Sequence, residues 1–152
     1  YDSVLRRIKN VLTEDHILIS IAAGITIDSL KERLGPGKRI VRAMPNTPAL
    51  VGAGYTAICE EHTFNKAALA WAKELFSTLG MVQVLPERLF DAVVAVSGSS
   101  PAYVYMFIDA MADGAVRLGM PRKMAIQAAA QAGFGLGQDG AGYGRASGRI
   151  KG

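Results

Sequence analysis

Four short apolar runs separated by helical patterns constrain this chain more than any other feature. Ile17 to Ile21, Lys38 to Ala43, Tyr55 to Glu60 and Met81 to Leu85 have strand length and are rich in residues that favour a pleated surface. Around them, Val4, Leu5, Ile8, Val11 and Leu12 recur at helical spacing, and Phe64 to Leu79 is amphipathic about Leu69, Trp71 and Phe76. Thr26 stands where it caps a helix over Ile27 to Leu34, which Gly35-Pro36-Gly37 closes. Alternation of this kind predicts an α/β layer with a largely parallel sheet. From Glu87 onward the strand signal disappears. Leu89 to Val96, Pro101 to Leu118 and Arg122 to Ala132 read as helices, and Gly119 and Pro121 separate the last two. The middle helix is apolar on nearly every side, with Tyr103, Val104, Met106, Phe107, Ile108 and Met111, so a second domain or another subunit has to enclose it.

Composition removes several function classes. Half of the 152 residues are hydrophobic, enough for a sizeable core. No stretch of roughly 18 apolar residues lacks a charge or a Gly/Pro break, and YDSVLRRIKN has no apolar leader core, so a soluble, cytoplasmic protein with no membrane partner is expected. Cys59 is the lone cysteine, and with His16 and His62 it makes no zinc-ligand spacing, so neither a disulfide nor a metal site is expected. The net charge of +4 is concentrated partly in Arg145, Arg149 and Lys151 near the end. Elsewhere bases alternate with acids as on solvated faces, and no nucleic-acid partner is expected.

Three segments stand where chemistry is expected, beyond the carboxyl ends of strands or at helix starts. The first, Ser20 to Gly24, ends a strand in Ala22, Ala23 and Gly24; such small residues let backbone approach a bulky ligand, or simply let a helix pack closely. The second, Met44-Pro45-Asn46-Thr47-Pro48, is a loop stiffened by two prolines, in which Asn46 either faces a ligand or closes a turn on its own backbone. The third, Ser97-Gly98-Ser99-Ser100, runs into Pro101 as a helix start does. Ser99 or Ser100 would cap that helix, leaving the leading N–H groups to attract a carboxylate or phosphate. No histidine lies nearby to activate Ser99, and no side chain is assigned as catalytic.

SIAAG, VRAMPNTPALVGAG and DAVVAVSGSSPAYVYMFIDAMADGAVRLGMPR, in that order and spacing, resemble pyrroline-5-carboxylate reductase, densely from Tyr1 to Ala132. The resemblance implies a Rossmann-like parallel sheet over residues 1–90 and the start of an all-helical dimerisation domain over 91–132. It implies hydride transfer from NADPH or NADH to 1-pyrroline-5-carboxylate, giving proline, in a homo-oligomer joined through the helical domain. Ala22, Ala23 and Gly24 would border the nicotinamide-ribose half of the cofactor, and Met44, Pro45, Asn46, Thr47 and Pro48 would line the nicotinamide side of the cleft. Ser97, Gly98, Ser99 and Ser100 would shape the pocket for the substrate carboxylate. The chemistry so implied rests on positioning rather than on a strong base or a metal. Family members also carry an upstream strand, Gly-rich turn and helix that grip the cofactor pyrophosphate, and this chain is expected to open downstream of them with impaired activity. A non-catalytic oligomerisation piece is the alternative.

The run GFGLGQDGAGYGRASGRIKG, residues 133–152, departs from that family pattern. Gly135-Leu-Gly137-Gln-Asp-Gly140 matches the dinucleotide fingerprint by letters alone, since no strand pattern precedes it and no amphipathic helix pattern follows. Its many glycines and few large apolar residues lead to an expectation of disorder. Codons permitted for this peptide, beginning GGT TTT GGG CTC GGC CAA GAT GGT, spell V-L-G-S-A-K-M-V one nucleotide later. The same freedom continues to VLGSAKMVLDTGEHPGELK, the continuation the family pattern implies, so the reading frame is expected to slip near Ala132 and Gly133. The coding DNA across this region should spell that peptide in the shifted frame; nucleotides that spell anything else remove the idea.

Overall fold

The computed structural model describes residues 1–60 and 66–138. It divides into two compact units, Tyr1–Pro101 and Ala102–Gly152. In the first, α1 (Asp2–Lys9), β1 (Ile17–Ser20), α2 (Ile27–Leu34), β2 (Arg39–Pro45), β3 (Gly54–Cys59), α3 (Lys66–Ser77), β4 (Gly80–Leu85) and α4 (Phe90–Val93) follow one another. Helix α5 spans Ser100–Arg117 and α6 spans Arg122–Gln138. Thr26 caps α2 as its position implies, its hydroxyl oxygen accepting the Ser29 N–H at 3.2 Å.

The strands lie side by side in the order β1-β2-β3-β4. Pairs β1/β2 and β3/β4 are parallel, as the alternating pattern predicts, but β2 and β3 are antiparallel. The link between them explains the difference. Thr47–Val51 is a tight 3₁₀ turn with proline in its first positions, and Gly52 follows in left-handed conformation with φ 71°. This is too short for a crossover, which needs a dozen residues or more, so the chain turns back.

Alternation along β2 divides the core. Val41 and Ala43 join Ile58, Ala72 and Phe76, whereas Met44 joins Ile27, Ala57, Cys59, Phe90 and Val93. Ile40 packs with Leu5, Leu30 and Leu34. Phe90 and Val93 thus belong to the core of the sheet, which is why the first unit extends to Pro101 and not to residue 90.

In the second unit, Ala112 of α5 and Ala125 and Ala129 of α6 are buried, and Arg122 donates to the carboxylates of Asp109 and Asp113 one turn apart on α5. All three partners are substantially exposed, so that clamp contributes about 1 kcal/mol at most. Helix α6 does not stop at Ala132 but runs to Gln138, so residues 133–138 are helical where composition suggests disorder. Gly133 and Gly135 each cost about 1 kcal/mol relative to alanine, but extending a nucleated helix is far easier than starting one. The rest of the expected disordered, frame-shifted segment, residues 139–152, lies outside the described residues.

Two glycines face each other at the first rung of the β3/β4 ladder, Gly54 against Gly80. A Cβ on Gly80, where φ is 138°, would overlap the Gly54 backbone, and one on Gly54 would stand 2.8 Å from Ala49 and 2.9 Å from the Leu79 carbonyl. Gly37, with φ 76°, has open space around it. Gly80→Ala should therefore destabilise by several times the about 1–2 kcal/mol expected of Gly37→Ala, whose cost is conformational alone. Urea unfolding of the two variants tests this, and equal losses would remove the steric argument.

Candidate functional site

β2 ends in Met44 and Pro45, and Pro45 together with Pro48 of the following turn limits where Asn46 stands. Asn46 occupies the N-cap position of the 3₁₀ turn, yet its side chain makes no capping bond there. It spans two other segments instead. Its Oδ1 accepts the Tyr55 N–H at 2.8 Å, and its Nδ2 donates to the Ser97 Oγ at 3.0 Å and to the Ser97 carbonyl at 3.3 Å. The reading in which Asn46 closes a turn on its own backbone is thereby replaced by a long-range bracket. Sequence reasoning selected both Asn46 and Ser97, and the fold brings them together.

Ser97 accepts from Asn46, so its own hydroxyl proton stays uncommitted among the hydrogen bonds of the described residues. Beside it lies an open groove of about 400 Å³ walled by Tyr55, Leu85, Leu89, Val93 and Val96. The groove is apolar apart from the serine at one end, and the Tyr55 hydroxyl reaches away to the Gln83 Oε1 at 2.8 Å. Carbon walls with one oriented donor suit a small, flat, mostly apolar ligand carrying an acceptor group.

The serine segment is not the free helix start that its letters suggest. α4 passes into a π turn, Val94–Gly98, and then into α5, so the backbone stays helical throughout. The Ser99 N–H donates to the Val94 carbonyl at 2.8 Å, and the Ser100 hydroxyl donates to the Val96 carbonyl. Ser100 therefore serves its own helix, and neither serine acts as the expected cap. Gly98 is exposed, and a Cβ there would make only ordinary contact with Val94, so close approach does not require glycine. A π turn is a local widening of the helix that recurs at functional sites.

Beyond β1, the Ala22 N–H makes a long bond of 3.4 Å to the Ser20 Oγ, which also meets the Tyr1 hydroxyl at 3.1 Å. Ala23 and Gly24 are exposed, and Gly24 holds φ 73° with nothing within 4 Å of a notional Cβ. Close helix packing thus gives no reason for small residues here. Because β1 and β2 are parallel neighbours, Ala22 to Gly24 and Met44 to Pro48 leave the sheet at the same end. Thr47 is exposed at the outer edge of the loop.

Residues 87–141 match the family "Pyrroline-5-carboxylate reductase dimerisation". The chain is 48% identical over 132 residues to pyrroline-5-carboxylate reductase of Escherichia coli (strain K12), a match covering 87% of this chain and 49% of the relative. The corresponding protein of Synechocystis is 49% identical over 115 residues, covering 76% and 43%. The chain is thus similar to the pyrroline-5-carboxylate reductases over most of its own length. It spans about half the length of the curated relatives it matches. Among solved structures, a Plasmodium falciparum pyrroline carboxylate reductase with NADP bound superposes with a TM-score of 0.81 at 36% identity, covering 88% of this chain and 54% of that one. A Coxiella burnetii pyrroline-5-carboxylate reductase gives 0.80 at 32% identity, covering 90% and 52%. The mixed four-stranded sheet followed by helices is the architecture shared with these reductases.

One buried residue behind these segments escaped sequence reasoning. Arg42 interrupts the apolar strand Ile40-Val41-Arg42-Ala43-Met44 and is 3% exposed. The detectable signal was a charge inside a strand otherwise buried on both faces.

The bracket has a measurable cost of removal. Asn46→Asp loses the donation to the Ser97 carbonyl and sets a carboxylate against that oxygen, so it should destabilise by about 1–3 kcal/mol, and Ser97→Ala by about 0.5–1.5 kcal/mol. In a double-mutant cycle of Asn46→Ala and Ser97→Ala, a coupling energy of about 0.5 kcal/mol or more is expected, and none would mean that the two side chains do not interact.

Proposed function

We propose that this surface is the nicotinamide and substrate half of a reductase that converts 1-pyrroline-5-carboxylate to L-proline with NADPH or NADH, acting in the cytoplasm. The observation that carries the proposal is the Asn46–Ser97 bracket. It joins, in one place, the two sequence blocks on which the resemblance rests most.

The residues present fit the reduced face of such a cofactor. Gly24 leaves open space in left-handed conformation at the carboxyl end of β1, where Ala22 and Ala23 add little bulk, so a flat ring can approach backbone there. Ala22, Ala23 and Gly24 would hold the nicotinamide-ribose half, with Met44, Pro45, Asn46, Thr47 and Pro48 along its other side. When bound, the cofactor supplies the hydride. The chain's own part is to orient and to exclude water. Val93, Val96 and Leu89 present apolar walls to a small ring, and Ser97, held by Asn46, turns its uncommitted proton toward the ring's carboxylate. Gly98, Ser99 and Ser100 shape the same turn through their backbone, since the Ser99 N–H and the Ser100 hydroxyl are already engaged. No strong base enters this account: the imine takes its proton from solvent or a nearby hydroxyl.

A second reading is favoured by a different observation. Tyr103, Tyr105, Met106 and Phe107 of α5 are each at least 60% exposed, and the matched dimerisation family covers this helix. The chain would then act as a non-catalytic oligomerisation piece, and in either reading we propose self-association through the helical region, with neither nucleic acid nor a membrane as partner. Among the described residues no helix is long and apolar enough to cross a membrane.

The two readings part on ligand binding. With ¹⁵N-labelled protein, L-proline should shift the amides of Ser97 to Ser100, and NADPH those of Ala22 to Gly24, Asn46 and Thr47. NADPH oxidation should depend on added 1-pyrroline-5-carboxylate. If neither ligand moves these amides while sedimentation shows a stable oligomer, the catalytic reading fails and the second stands.

A further inference from the structure

Arg42 is a cation in the middle of a buried strand, and the way it is held connects all three candidate segments. Its Nη1 donates to Glu87 Oε1 at 2.7 Å, and the same oxygen accepts the N–H of Ile27, the first residue of α2, at 2.9 Å. The guanidinium carbon lies 4.5 Å from the centre of the Phe90 ring, which belongs to the core around Ile27 and Met44. The Arg42 side chain is 3% exposed, that of Glu87 22%, and Arg42 Nε has no hydrogen-bond partner among the described residues.

Such a pair is a poor source of stability. Withdrawing a guanidinium and a carboxylate from water costs several kcal/mol per ion, and attraction repays this only with full hydrogen bonding, which the Arg42 Nε lacks. A neutral pair of similar size would hold the core as well or better. The position of its members is another matter. Ile27 follows Gly24 by three residues, Arg42 precedes Met44 by two, and Glu87 opens the helical run that passes through Ser97. One carboxylate oxygen therefore ties together the elements from which Ala22 to Gly24, Met44 to Pro48 and Ser97 to Ser100 project.

We infer that Arg42 and Glu87 are positioning residues, a buried ionic knot that sets the register of the three site segments relative to one another. The inference rests on the proposed reductase site for its functional meaning, but its geometry is testable without a ligand. Because charge fixes direction where apolar contact does not, the knot holds the end of β2 and the start of α2 at one angle to the helical run. Asn46 can then reach both Tyr55 and Ser97.

The discriminating variant is Arg42→Met combined with Glu87→Gln, in which the amide oxygen still accepts from Ile27 and no charge is left unpaired. Thermal unfolding should show a folded protein with its midpoint unchanged or raised. Hydrogen exchange at the Tyr55 N–H, which Asn46 holds, should accelerate roughly tenfold or more while the Ile58 N–H in the same strand keeps its protection. Contacts between the Asn46 and Ser97 side chains in nuclear Overhauser spectra should weaken, and affinity for NADPH and L-proline should fall by about tenfold or more, a loss that Arg42→Lys partly restores. Unchanged protection at Tyr55, or failure of the double variant to fold, overturns the inference, the latter because the pair would then serve stability. If the unaltered chain binds neither NADPH nor L-proline, the reductase reading falls, while exchange at Tyr55 still decides the knot.

Discussion

The side chain of Asn46 is the constraint on which the site depends. A short link turns the chain back between β2 and β3, and the amide fills the corner by accepting from the start of β3 and donating to the π turn ahead of α5. Both ends of one planar group are used, so the distance and angle between the loop and the helical run follow from the geometry of a single residue. A carboxylate could satisfy the accepting side only. The flanking Pro45 and Pro48 limit the backbone on either side, so little conformational freedom remains to be lost when the bracket closes.

Behind that bracket, the core is arranged so that each segment of the site leaves a buried element. Ile27, Met44 and Phe90 share one cluster, and each stands within a few residues of a site segment or on the helical run that leads to one. Apolar packing fixes that these elements are adjacent, but it is tolerant of small rotations. The Arg42–Glu87 pair supplies the directional contact that packing lacks, at a cost the surrounding apolar burial has to offset. The Gly54/Gly80 rung, next to Tyr55, holds β4 against β3 so closely that no side chain fits between.

Much of this was legible in the letters. Strand and helix positions follow from periodicity, the α2 cap follows from Thr26, and the pairing of Asn46 with Ser97 lies between segments already singled out. What escaped has a common physical cause, since each missed feature depends on partners distant in sequence. The antiparallel turn of β3 depends on the length of a link whose 3₁₀ turn is only recognisable once Pro48 and Gly52 are seen to act together. A Ser-Gly-Ser-Ser-Pro run has the composition of a helix start, and only the packing of Phe90 and Val93 beneath the sheet makes it a π turn inside a longer helical run. Arg42 reads as a surface charge until its neighbours on β2 prove to be buried on both faces.

The helical unit raises a different balance. Its buried residues among those described are Ala112, Ala125 and Ala129, and an alanine methyl contributes little apolar area. Against that stands the entropy of ordering two helices of 18 and 17 residues, at roughly 1–2 kcal/mol for each backbone position. Hydrogen bonding within the helices and the exposed Arg122 clamp do not close such a gap, since a helix in water owes most of its stability to the face it buries. The apolar surface able to close it is present on α5 itself, in Tyr103, Tyr105, Met106 and Phe107, all outward. Their exposure supports the proposed self-association: side chains that are a liability in a lone chain would form the core of an assembly that covered them.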